Sequence, residues 1–158
     1  MDLRSTLQQD MKRALKSGDK LTLSTLRMLQ SKILEREVDL RSSRGRDYHL
    51  NDQETIDVLA AYAKQRRQSI ESYRQGGRED LAEREQRELA VVEAYLPAPL
   101  DEAGIEALVA RHIEETGATG LKDLGRVIKA VMAEAKGTAD GKIVNQITKR
   151  VLLERQNG

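Results

Sequence analysis

The chain has 158 residues, enough for one domain or two small ones, with 34 % charged residues, 3 % aromatics and neither Phe nor Trp. Its core must come from Leu, Ile, Val, Met and Ala, a palette for packed helices rather than a β-sandwich. The lack of cysteine excludes a disulfide framework and a thiolate metal site, and a net charge of +1 argues against strong overall attraction to nucleic acid.

Every long segment has helical periodicity. Leu3, Leu7, Met11 and Leu15 recur every four residues, and Gly18 supplies a stop. Asp19 caps a second predicted helix with Leu23, Leu26, Leu29 and Ile33 inward, ending at a polar loop, Ser42-Ser-Arg-Gly-Arg-Asp47. Asn51 with Glu54 three residues later predicts a capping box and a long helix to about Gln75, on which Ile56, Leu59, Ala63, Ile70 and Tyr73 face neighbours. Gly76-Gly77 ends it. A fourth helix begins near Glu79, where Glu79, Asp80 and Glu83 suit the positive end of the helix dipole. Pro97 and Pro99, the only prolines, predict an extended segment and a boundary between two helical subdomains. The reading is all-α: a bundle of about four helices over 1–96, a linker at 97–99, and three helices over 100–158, near 101–116, 121–136 and 141–154.

Charge is unevenly spread near the carboxyl end. Residues 97–120 carry −4, with Arg111 against Asp101, Glu102, Glu106, Glu114 and Glu115; residues 121–158 carry +4. At 100° per residue, Leu124, Ile128, Val131 and Ala135 share one face of the sixth helix. Lys122, Arg126, Lys129 and Lys136 share another. On the last helix Ile143, Ile147 and Val151 point inward, while Lys142, Gln146, Lys149 and Arg150 form the polar face. Such a stripe is either a solvated outer face or an anion-binding surface, and periodicity alone does not choose.

Other chemistries find little support. Gly137-Thr-Ala-Asp-Gly-Lys142 lacks the spacing, the hydroxyl and the preceding strand of a phosphate-binding loop; a turn with Gly137 and Asp140 as caps explains it. The two histidines, His49 and His112, have no glutamate three residues before them for a helical metal site. His112, in register near Val109 and Ile113, is placed at a domain surface or interface. Tyr48, Tyr62, Tyr73 and Tyr95 are too scattered for a base-stacking platform, so any RNA contact should be to phosphates of structured RNA. Alternative cation clusters are Arg36, Arg41, Arg44 and Arg46, and Lys64, Arg66, Arg67 and Arg74. No apolar run approaches the roughly 18 residues of a membrane span. The N-terminus has no contiguous apolar leader, which leads to the expectation of a soluble cytoplasmic protein.

Three ordered landmarks carry a resemblance. Gly77-Arg-Glu-Asp-Leu81, Tyr95-Leu-Pro-Ala-Pro-Leu100, and Asp123-Leu-Gly-Arg-Val-Ile-Lys129 followed by Lys136-Gly-Thr-Ala-Asp-Gly-Lys-Ile-Val144 resemble the GatB/YqeY family over nearly the whole chain. That family comprises stand-alone YqeY-like proteins and the tail domain of the tRNA-dependent amidotransferase B subunit. The resemblance implies tRNA binding by the tail, without the activating domain or the glutamine-hydrolysing subunit of the amidotransferase. It therefore implies no cofactor, no catalytic residue of this chain's own and no independent catalysis. Its candidate nucleic-acid contacts are Lys122, Arg126, Lys129, Lys136, Lys142, Lys149 and Arg150. Structured RNA, above all tRNA, is the implied partner, with an amidotransferase or aminoacyl-tRNA synthetase beside it. Two other readings stay open: an accessory component of a carbon–nitrogen ligase, active only in complex, and a helical protein–protein adaptor.

Overall fold

A computed structural model of the chain describes residues 2–135 and 138–158. Among these are seven α-helices, one 3-10 turn and no strand: α1 (Leu3–Ser17), α2 (Lys20–Arg44), α3 (Asp52–Gln75), α4 (Glu79–Glu93), α5 (Glu102–Thr116), the turn Leu121–Asp123, α6 (Leu124–Ala135) and α7 (Gly141–Asn157). The all-α reading holds. The chain divides into two compact units, Met1–Leu96 and Pro97–Gly158, each with its own buried cluster.

Local chemistry explains the helix ends. Asp2, Asp19, Asn51 and Asp101 each accept a backbone N–H of the first turn, and Asn51 with Glu54 closes both halves of a capping box. Gly18 ends α1 in the left-handed region at φ 74°, a conformation that penalises any side chain with a Cβ. The expected loop at 42–47 starts later, because α2 continues through Ser42 and Ser43 to Arg44. Arg44 then pairs with Glu54 at 2.6 Å and donates to the Tyr48 hydroxyl, tying the turn to the start of α3.

The N-terminal core gathers Leu7, Leu26, Leu29, Ile33, Leu59, Tyr62, Ala63, Ile70, Ala82, Leu89 and Val92. Leu26, Leu29 and Ile33 are buried as expected, but Leu23 is only half-buried. Leu15 is 62 % exposed, contrary to its place in the four-residue pattern. A strict spacing of four advances 40° per step around a helix, so the last leucine has rotated off the buried face. Ala14 is buried in its place. The Tyr95 hydroxyl donates to Asp10 at 2.6 Å, joining α1 to the residues after α4, and burial with this bond pushes its pKa upward.

Glu37 is the unexpected member of this interior. It is 1 % exposed and continues the buried stripe of Leu26, Leu29 and Ile33. Its carboxylate accepts the Leu50 backbone N–H at 3.1 Å and Arg4 at 2.9 Å, and it lies 3.3 Å from His49 Nδ1. Burial alone would raise its pKa; these hydrogen bonds outweigh burial and hold it below the ordinary value of 4.5. Because the folded value lies below the unfolded one, the stabilisation is complete at neutral pH. It fades as pH falls below 4.5 and through the folded value. Glu37→Gln is therefore expected to lose about 1–3 kcal/mol at pH 7. In urea unfolding, the gap between variant and wild type should close as the solution is acidified.

Candidate nucleic-acid interface

The C-terminal unit encloses Ile105, Val109 and Ile113 of α5, Val127, Val131 and Ala135 of α6, and Val144, Ile147 and Leu152 of α7. These residues set the rotation of each helix. On α6, Val127 and Val131 are fully buried, whereas Leu124 and Ile128 are half-buried, so the inward face is shifted from the expected one. On α7, Val144, Ile147, Thr148 and Leu152 face inward, while Ile143 is 43 % exposed and Val151 half-buried. The misplacement of Ile143 has an identifiable cause. Thr148 satisfies its hydroxyl by donating to the Val144 carbonyl at 2.6 Å, so a polar residue takes a core position that an apolar pattern overlooks.

Three carboxyl-bearing elements then meet the cations. Arg150 of α7 pairs with Glu106 and, at 3.7 Å, with Glu102 of α5; Arg155 pairs with Glu114. Glu134 of α6 receives Arg111 and, at 2.7 Å, lies against His112 Nε2 of α5. Arg111 and His112 together hold the Glu134 carboxyl below its ordinary range. Arg126 turns back to Asp123 at 3.0 Å. Asp123 also accepts the Thr119 N–H, the first cause of its lowered pKa. The −4 of residues 97–120 and the +4 of residues 121–158 are thus partly consumed within the unit. His112 is 13 % exposed in its side chain and serves this network, at a contact between two helices.

The predicted cation set divides by residue type. Arg126 and Arg150 are engaged by carboxylates. Lys122, Lys129, Lys142 and Lys149 are exposed, and among the described residues no carboxylate lies within 4.0 Å of any of them. Lys136 and the Gly137 cap lie outside the described residues, while Asp140 caps α7 through the Lys142 N–H as expected. With Val127 and Val131 inward, Lys129 stands about 200° round α6 from Val127, on the side away from the core. Lys142 and Lys149, seven residues apart, lie on one outer stripe of α7. Arg150, next to Lys149, is rotated about 100° from it and meets α5 instead.

In the N-terminal unit most of the alternative cations are likewise engaged. Arg41 lies 4.0 Å from Glu37, Arg44 pairs with Glu54, Arg66 with Glu85 at 2.6 Å, Arg67 with Glu93, and Arg74 with Glu79. Arg36, Arg46 and Lys64 remain exposed without a carboxylate within 4.0 Å among the described residues. An open cavity of about 370 Å³ lies between α2, α3 and α4, with Arg66 stacked on Tyr62 and paired to Glu85 on its wall. Among the described residues no cluster of three or more His, Asp or Glu is arranged to hold a metal ion, and no helix is long and apolar enough to cross a membrane.

Comparison with known proteins places the chain within a family. The profile described as "Yqey-like protein" matches residues 4–152, spanning both units. The chain belongs to the YqeY-like family. Among curated relatives, "Altered inheritance of mitochondria protein 41, mitochondrial" of Eremothecium gossypii is 34 % identical over 70 % of this chain and 57 % of its own length. The protein of that name from Pyrenophora tritici-repentis is 32 % identical over 84 % of this chain and 71 % of its own. That of Lachancea thermotolerans is 33 % identical over 73 % and 60 %. The chain thus spans less than two thirds of two of these three relatives.

These names overturn the cytoplasmic expectation. That expectation rested on the lack of a contiguous apolar leader, yet relatives of the same family are named mitochondrial. Mitochondrial targeting segments are amphipathic and arginine-rich rather than apolar, so an apolar-run criterion does not detect them.

The rotation of α7 decides which cations face outward, and it is open to direct test. Val144→Ala should cost about 1–3 kcal/mol in chemical unfolding, as a fully buried side chain loses its contacts. Ile143→Ser should stay within about 0.5 kcal/mol of wild type. Equal losses at the two positions would contradict the register.

Proposed function

We propose that the chain is a non-catalytic RNA-binding module whose C-terminal unit contacts tRNA phosphates through Lys122, Lys129, Lys142 and Lys149. One observation carries this reading: each arginine of the unit is paired with a carboxylate, whereas among the described residues none of these four exposed lysines has one within 4.0 Å. An ammonium that is in no close ion pair is open to an external anion, and lysine binds backbone phosphates as a point charge. The resemblance of Asp123 to Val144 to the amidotransferase tail favours tRNA as the polyanion. An accessory role beside an amidotransferase or a synthetase is compatible with the same contacts, since binding would present the RNA to the partner that carries the chemistry.

A second reading, a protein adaptor, draws on the other unit. Leu34 and Val38, at consecutive turns of α2, are 50 % and 53 % exposed. Leucine and valine offer nothing to a phosphate, and an apolar contact surface would be insensitive to salt.

Salt dependence separates the two. Lys129→Gln, Lys142→Gln and Lys149→Gln together should weaken binding to unfractionated tRNA. They should also flatten the slope of log affinity against log salt by roughly two units, at about 0.7–0.9 per lost contact. Arg150→Gln with Arg155→Gln removes two charges that already have carboxylate partners, and should leave that slope nearly unchanged. A folded lysine variant with unaltered affinity and slope would remove this surface from the account.

A further inference from the structure

Among the described residues three glycines lie within helices, and all three belong to the C-terminal unit: Gly104, Gly125 and Gly141. Gly104 has a packing reason. A Cβ there would stand 3.1 Å from Asp101 Oδ1 and 3.3 Å from Leu100 Cδ2, against the cap of α5. Gly141 opens α7 beside its cap, where helical interior demands have not begun.

Gly125 has neither excuse. It follows the turn Leu121–Asp123 and is the second residue of α6, so helical backbone flanks it on both sides. Its φ is not in the left-handed region, it is exposed, and a Cβ built on it would meet nothing within 4 Å among the described residues. Glycine is the poorest helix former after proline, so the fold would be better served by alanine here. Neither backbone conformation nor packing among the described residues accounts for the bare position, and the remaining use of a glycine is to let another molecule approach the backbone closely.

The surroundings specify what approaches. On a helix surface the nearest neighbours of a residue lie three and four positions away. For Gly125 two of these are Lys122, in the preceding turn, and Lys129 of α6, both exposed and without a carboxylate within 4.0 Å among the described residues. Arg126, the adjacent cation, is turned aside to Asp123. A bare stretch of helix backbone is therefore flanked along the axis by two available ammonium groups, with no exposed large apolar side chain on α6 to suit a protein. We propose that Gly125 is a seat for the RNA backbone. The sugar–phosphate chain lies directly against the helix at this residue, and Lys122 and Lys129 take the phosphates on either side. This rests on the RNA-binding reading and adds a steric requirement to it.

The test adds bulk without changing charge. In the full chain, Gly125→Ala is expected to keep or raise the melting temperature, by about 2 °C. It should nevertheless lower affinity for unfractionated tRNA by about threefold, and Gly125→Leu by about tenfold or more. Both should make the salt slope shallower, by about 0.7–0.9 for each displaced phosphate. Ala107→Leu, the same kind of enlargement at an exposed site on α5, should leave binding unchanged. Should Gly125→Leu fail to fold, Gly125→Ala carries the test alone. A Gly125→Ala protein that loses stability would give the glycine an internal role and overturn the proposal. Gly125 variants that bind like wild type, while Lys122→Gln with Lys129→Gln weakens binding, would overturn the seat and leave the RNA reading standing. No tRNA binding by the wild type would remove both.

Discussion

The C-terminal unit depends on a packing constraint among small branched side chains. Val127, Val131 and Val144 are fully buried, with Val109 and Leu152 beside them, and no aromatic ring is available to fill the space between the helices. Valine has little freedom about χ1, so a valine contact between helices tolerates little rotation of either one. Once α6 and α7 are locked in this way, the outward direction of every other side chain follows. Lys129 is driven away from the core by Val127, and Ile143 is left exposed because Val144 is not. The electrostatic surface is therefore a consequence of apolar packing.

Within that frame, arginine and lysine have different work. The guanidinium forks of Arg111, Arg126, Arg150 and Arg155 reach carboxylates on a neighbouring turn or helix. A planar, multidentate donor holds such a partner with defined geometry, whereas lysine presents a compact, hydrated charge on a flexible stem. The pairs are exposed, so each contributes little to stability. Their larger effect is on the surface: they neutralise the acidic face of α5 and leave the lysines as the charges open to a partner. A set that reads as one cationic stripe along the sequence is thus two sets in the folded unit.

The N-terminal unit shows the converse use of charge. Glu37 lies in the interior, where an unpaired carboxylate would be costly, and it is retained because the Leu50 N–H and the Arg4 guanidinium both donate to it. The Leu50 N–H belongs to the stretch between α2 and α3, and Arg4 to α1. One buried anion so anchors the connection that delivers the chain to the capping box of Asn51 and Glu54.

Sequence alone determined the helical class, the boundaries near Gly18, Asn51, Gly76 and Asp101, and the family, because caps, periodicity and ordered motifs are local properties of the chain. It also located the cationic helices, since Lys122, Arg126, Lys129, Lys142, Lys149 and Arg150 are countable without a fold. Glu37 left a trace, a charge four residues after Ile33 on an apolar stripe, but its partners Arg4 and Leu50 are distant in sequence. Gly125 left none, because an open position and a crowded one are written with the same letter. Tertiary structure decided the rotation of α7, which turned Ile143 out and Thr148 in, and it decided which carboxylate meets which cation. Those outcomes depend on contacts between segments tens of residues apart, Arg150 with Glu106 and Arg155 with Glu114, and no local pattern encodes the meeting of two such side chains.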